Sequence, residues 1–88
     1  MNLSVMENMG KQLREARKQK GLSQAEIASK LHLRRASISE MERGVYRGVI
    51  PPLLSYVQFL DLTLELTKVP SEFPQLSELD SLFDEDNP

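Results

Sequence analysis

Apolar residues in the first 60 positions recur at spacings of three and four, which predicts a series of short amphipathic helices. The segment Ser4-Val5-Met6-Glu7 has the spacing of a capping box, and Gly21 is suited to the left-handed stop at the end of the first helix. A second capping box, Ser23-Gln24-Ala25-Glu26, predicts the start of a shorter helix. The pattern therefore predicts two helices separated by a few residues.

Two more helices follow the turn predicted at His32-Leu33. This turn calls for a residue with positive φ, which histidine adopts at some cost in strain. The third helix is predicted from about Arg34 to Arg43, with Gly44 ending it. Pro51-Pro52 opens a fourth helix, because proline is tolerated in the first turn.

The apolar period changes from helical to two after Asp61. Leu62, Leu64 and Leu66 alternate with polar residues, which predicts a strand ending at Val69. A lone strand leaves its backbone groups unpaired, so we expect it to pair with the same strand of a second copy across a two-fold axis. The alternative is that residues 62–69 continue the fourth helix, since some of the apolar positions also fit that period.

Charge divides the chain into two parts. Residues 1–48 hold ten Lys and Arg against five acidic residues, whereas residues 70–88 hold six acidic residues and no Lys or Arg. We therefore predict a polyanion-binding and dimerisation domain over residues 4–69, followed by a flexible acidic tail over residues 70–88. Four apolar residues of the tail recur at helical spacing and could dock on a partner, namely Leu76, Leu79, Leu82 and Phe83.

Several classes of protein are excluded by composition. Cysteine is absent, and His32 is the single histidine, so the chain offers no usual set of metal ligands. No paired carboxylates, nucleophile with a base, or phosphate-cradling loop points to an enzyme, and no cofactor is expected. The sequence shows no membrane span and no secretion signal, so we expect a cytoplasmic protein.

The second and third helices suit the major groove of DNA. Arginine at the start of the third helix offers a fork of donors for guanine or phosphate, and a small residue beside it permits close approach. The expected base contacts are Arg34, Arg35, Ala36, Ser39 and Glu40. The expected phosphate contacts are Ser23, Gln24, Ser37, Arg43, Tyr46 and Arg47.

One charged residue falls on the inward side of the first helix. Arg17 lies one turn after Leu13, and an unpaired charge at such a position is costly. Glu42, near the end of the third helix, is the expected partner. We therefore predict a partly buried structural salt bridge that joins the first helix to the third.

The segments from Gly21 to Ala28 and from Ile38 to Gly44 resemble the helix-turn-helix of Cro/repressor-type (XRE) regulators. The resemblance covers about residues 8–61. It implies a mainly α, four-to-five-helix lambda-repressor-like DNA-binding domain that reads DNA with the helix starting at Arg34. It also places the internal salt bridge of that family on Arg17 and Glu42. The chain departs from the family at His32, where glycine is usual, and at Arg34, where Ser or Thr is usual.

The region from Pro51 to Val69 is similar to HipB-type antitoxins, which pair a short strand across the dimer. This similarity implies a homodimer that represses its own operon through a palindromic double-stranded DNA operator. It also implies a HipA-like kinase toxin as partner, and a bacterial protein associated with the nucleoid when bound to DNA. The alternative is a stand-alone XRE-family or phage-type repressor without a toxin.

Overall fold

A computed structural model describes residues 4–68, and this part of the chain contains four helices. They are α1 (Val5–Gln19), α2 (Gln24–Leu31), α3 (Arg35–Arg43) and α4 (Ile50–Phe59). All four lie where the apolar periodicity predicts them, so the mainly helical fold is confirmed.

Both predicted capping boxes are formed. The Ser4 hydroxyl accepts from the Glu7 backbone N–H at 3.1 Å, and the Glu7 carboxylate accepts from the Ser4 N–H at 3.1 Å. The same reciprocal pair joins Ser23 and Glu26 at the start of α2, with distances of 2.8 and 3.1 Å. His32 ends α2 with φ 58°, the left-handed conformation that the sequence predicts for this turn.

A single apolar core joins the helices. Helix α1 packs against α3, and α2 packs against both α3 and α4. Helix α4 and its C-cap contribute Leu53, Tyr56, Val57 and Leu60, which are all buried. The core consists of Leu13, Ile27, Ala28, Ile38, Met41, Leu53, Tyr56, Val57 and Leu60.

Gly10 sets how closely α1 and α3 approach each other. A Cβ atom at this position would lie only 2.5 Å from the carbonyl oxygens of Met41 and Glu42, which belong to the last turn of α3. Side chains cannot be accommodated there without moving one backbone away from the other. Glycine at this position therefore allows direct contact between the two helices.

The chain leaves α4 through a left-handed residue, Asp61 (φ 62°), whose carboxylate pairs with Lys20 Nζ at 3.0 Å. Residues 62–68 are neither helix nor strand in this single chain, and Leu64 and Leu66 are 50% and 101% exposed. A helix running on from α4 is therefore the wrong alternative. The paired strand requires a second copy and stays a prediction.

The predictions for the end of the chain lie outside the described residues. They concern Val69, the acidic tail over residues 70–88 and its four apolar positions.

Candidate nucleic-acid interface

Helices α2 and α3 are joined by a turn that is tied to α2. The backbone N–H of Leu33 donates to the Ala28 carbonyl at 2.9 Å, which closes the turn around left-handed His32. Ile38 and Met41 anchor the inner side of α3 and are fully buried. The other side of α3 therefore faces outward in a fixed orientation.

The outward side of α3 begins with a cationic, uncovered segment. Arg34, Arg35 and Ala36 are exposed, and Ser39 and Glu40 are half-buried. Arg34 is the N-cap, and no side chain caps the helix there. The structure thus brings the five predicted base-contact residues onto α3 and its N-cap, with the two guanidinium groups next to each other in sequence at the free end.

The loop after α3 extends this surface. An open cleft is lined by Arg34, Ser37 and Glu40 together with residues 45–49 of this loop. Arg47 in this loop is exposed, so two arginines line the cleft, together with the carboxylate of Glu40. Arginines that line an open cleft can contact the phosphates of a polyanion.

Several predicted phosphate contacts already make hydrogen bonds inside the protein. Gln24 Nε2 donates to Glu42 Oε1 at 3.1 Å, and Arg43 Nε donates to Ser39 Oγ at 3.2 Å. The Tyr46 hydroxyl donates to the Val49 carbonyl at 2.7 Å. A phenol has one hydrogen, so Tyr46 has no donor left for a phosphate in this arrangement.

Glu42 is the centre of a buried polar network. It accepts from Arg17 Nε at 2.7 Å and from Arg17 Nη2 at 3.1 Å, which is the predicted salt bridge between α1 and α3. It also accepts from Gln24 and from the Tyr56 hydroxyl at 2.5 Å. Arg17 Nη1 donates in turn to the Leu22 carbonyl at 2.7 Å. The network thus joins all four helices behind the outward face of α3.

The network shifts the ionisation of its members. Burial acts to raise the pKa of Glu42, but the hydrogen bonds from Arg17, Tyr56 and Gln24 outweigh it and hold the pKa below its usual value. The hydrogen bond to Glu42 raises the pKa of Arg17. Burial, followed by the bond to Glu42, raises the pKa of Tyr56. All three groups therefore stay in one protonation state around neutral pH.

Sequence reasoning missed two members of this network. Tyr56 reads simply as part of the apolar face of α4, and Gln24 reads as a donor to phosphate. One signal was available for Tyr56, because a buried tyrosine hydroxyl needs a hydrogen-bond partner and a buried carboxylate needs donors.

Other kinds of site are not found in the described part of the chain. Among residues 4–68, no three His, Cys, Asp or Glu side chains are grouped so that they could hold a metal ion. The helices of that segment are also too short or too polar to cross a membrane.

Comparison with known proteins places this surface in context. A helix-turn-helix family model matches residues 13–51, which include α2 and α3 completely. The chain is 33% identical to the restriction-modification controller protein C.AhdI from Aeromonas hydrophila, with a TM-score of 0.58, over 66% of this chain and 88% of that one. No match was found among curated proteins.

Two solved structures containing HipB share the fold. HipB in a complex with a 20-mer named O2 is 23% identical, with a TM-score of 0.65, over 80% of this chain and 97% of HipB. A chain of the HipA-HipB-O2-O3 complex is 21% identical, with a TM-score of 0.65, over 80% of this chain and 99% of that one. At these identities the likeness concerns the fold.

Proposed function

The chain belongs to the XRE-type helix-turn-helix family of DNA-binding regulators, and from this we propose that it is a repressor that binds a palindromic operator as a homodimer. The observation that carries the proposal is the exposed start of α3, where Arg34 and Arg35 project from a helix whose other side is fully buried. A helix presented in this way fits the major groove and meets base edges with its N-terminal residues.

In this proposal each residue on the outward side of α3 makes its own contact with the operator. Arg35 donates to guanine O6 and N7, and Arg34 reaches either a base or a phosphate. Ala36 contacts a thymine methyl group. Ser39 and Glu40, one turn further along, contact bases through a hydroxyl and a carboxylate.

Contacts with the DNA backbone come from the start of α2, from α3 and from the loop after α3. Ser23 and Ser37 keep hydroxyl hydrogens that can reach phosphates, and the guanidinium group of Arg47 lies in solvent next to the cleft. Gln24 and Arg43 keep further N–H groups beyond those they use internally. These contacts fix the register of the protein on the duplex and make its affinity depend on salt.

The homodimer of the proposal is built on residues 62–69. Leu62, Leu64 and Leu66 are exposed in the single chain, with exposed fractions that rise to 101% at Leu66. Pairing this segment with the same segment of a second copy buries these leucines and pairs the backbone. Two reading helices then face successive major grooves about 34 Å apart.

A HipA-like kinase toxin is the partner we propose for the dimer. The match to HipB supports this, because it covers 80% of the chain and so extends beyond the segment from Val5 to Phe59. HipB itself is found with HipA in the HipA-HipB-O2-O3 complex. The alternatives are a stand-alone regulator and, from the 33% identity to C.AhdI, the controller of a restriction-modification operon.

Arg35→Ala tests the assignment of α3 to DNA. In a gel-shift titration with the duplex upstream of its own gene, we expect a loss of about 1–3 kcal/mol and relaxed preference at one base position. Arg14→Ala, which removes the same exposed charge from α1, is the matched control and should bind nearly as tightly as the parent. Equal affinity and selectivity of Arg35→Ala and the parent would contradict the proposal.

The partner is tested separately from DNA binding. We expect a gene for a kinase-like protein to lie next to the gene for this chain. We also expect the two purified proteins to co-elute. Deleting residues 71–88 should leave operator binding intact and weaken binding of the kinase. A neighbouring endonuclease and methyltransferase pair would instead support the controller alternative and overturn the toxin partner.

A further inference from the structure

The loop between α3 and α4 is closed by one of its own side chains. The Tyr46 hydroxyl donates to the Val49 carbonyl at 2.7 Å, so the side chain spans three residues of backbone. The acceptor belongs to the N-cap of α4, a helix whose first turn contains Pro51 and Pro52 and whose N-cap makes no side-chain cap. The bond from Tyr46 therefore fixes the loop to the start of α4.

Gly48 shows independently that the loop is built around this ring. A Cβ atom at position 48 would overlap the hydroxyl oxygen of Tyr46 and lie 2.5 to 2.7 Å from two of its ring carbons. Any side chain there would push the ring away from Val49. The ring packs directly on the backbone of Gly48, and only glycine leaves it that space.

Arg47 is the residue that this closed loop presents. It lies between Tyr46 and Gly48, it is exposed, and it lines the same cleft as Arg34. Glu40 lines the same cleft and adds one carboxylate to it. A loop that is already ordered loses less conformational freedom when its arginine binds.

We propose that Tyr46 is a positioning residue, which closes the loop over Gly48 so that Arg47 meets a backbone phosphate of the operator. This inference rests on the proposed DNA binding and changes the role of Tyr46 from a phosphate contact to a residue that acts through its neighbour. The hydroxyl hydrogen is used within the loop, whereas the cation of Arg47 is available at the cleft.

A double-mutant cycle with the operator duplex as probe separates the possible roles. Tyr46→Phe keeps the ring and removes the hydrogen bond, and we expect it to weaken binding about three- to tenfold. In an Arg47→Ala background the same substitution should have no further effect. Gly48→Ala, which displaces the ring from the other side, should reproduce the loss and the same dependence on Arg47.

Two outcomes of the cycle overturn the proposal. An equal loss in both backgrounds makes Tyr46 an independent DNA contact, and unchanged affinity of Tyr46→Phe leaves it with no role in binding. The free protein supplies a readout that needs no DNA: backbone ¹⁵N order parameters at residues 47–49 should fall in Tyr46→Phe. Unchanged order parameters overturn the closed loop itself, whereas failure of the parent to bind the duplex overturns the proposed function alone.

Discussion

At the scale of single residues, Glu42 is the polar side chain that connects the most helices in the described part of the chain. Three side chains, from α1, α2 and α4, donate to its carboxylate, which is almost fully buried. A buried charge of this kind is stable only while its donors remain in place. Because α3 carries Glu42 on its inner side, the same network fixes the orientation of the outward residues.

Replacing Glu42 by Gln is expected to lower the free energy of unfolding by about 3–5 kcal/mol, because it leaves the buried Arg17 without a counter-charge. Urea unfolding followed by circular dichroism measures the loss. Glu15→Gln, which makes the same change at an exposed position of α1, should alter stability by less than about 0.5 kcal/mol. Similar values for the two variants would show that the network stabilises little.

Because the pKa of Glu42 is lowered, the free energy of unfolding should fall at acid pH. The unfolded carboxyl titrates near its ordinary value of 4.5 and the folded one lower, so the unfolded state binds the proton first. The contribution of Glu42 is complete above pH 4.5 and is lost as the pH falls through the folded pKa. The stability difference between the parent and Glu42→Gln should therefore narrow below pH 4.5, and a constant difference from pH 7 to pH 3 is the contrary result.

At the scale of elements, the packing of α1 on α3 depends on the absence of a side chain at Gly10. Gly10→Ala raises helix propensity by about 1 kcal/mol, yet its methyl group would meet the two carbonyls at the end of α3. We expect net destabilisation of about 1–3 kcal/mol from the forced separation. Thermal unfolding measures this loss. In the same experiment Lys11→Ala, at the next position, which is exposed, should leave the stability nearly unchanged. A stabilised Gly10→Ala would contradict the close approach.

The elements themselves are largely predictable from the sequence, because local chemistry sets them. Ser4 and Ser23 cap their helices through hydrogen bonds to residues three positions away. His32 adopts the left-handed conformation at a turn where glycine would fit with less strain. The contacts of Tyr46 and Tyr56 were not predictable in the same way. Each depends on where a hydroxyl falls in three dimensions, and aromatic periodicity alone does not specify its partner.

At the scale of the whole molecule, the described monomer leaves a segment of exposed leucines with no apolar cover of its own. Replacing both Leu64 and Leu66 by Lys is expected to give a monomer in sedimentation equilibrium at micromolar concentration, because buried cations would oppose pairing of the strands. Thr63→Lys with Thr67→Lys adds the same charge at alternating positions and should remain dimeric. A dimeric leucine double variant would rule out this interface.

The left-handed turn at Asp61, with its bridge to Lys20, fixes the direction in which the chain departs from the helical body. In a dimer that pairs through this segment, the direction of the chain at Asp61 would set the distance between the two reading helices. The length of the spacer between the two operator half-sites would then depend on residues outside the helix-turn-helix. Loosening that corner, for example with Lys20→Ala, would broaden the range of spacers tolerated while leaving the preferred half-site sequence unchanged.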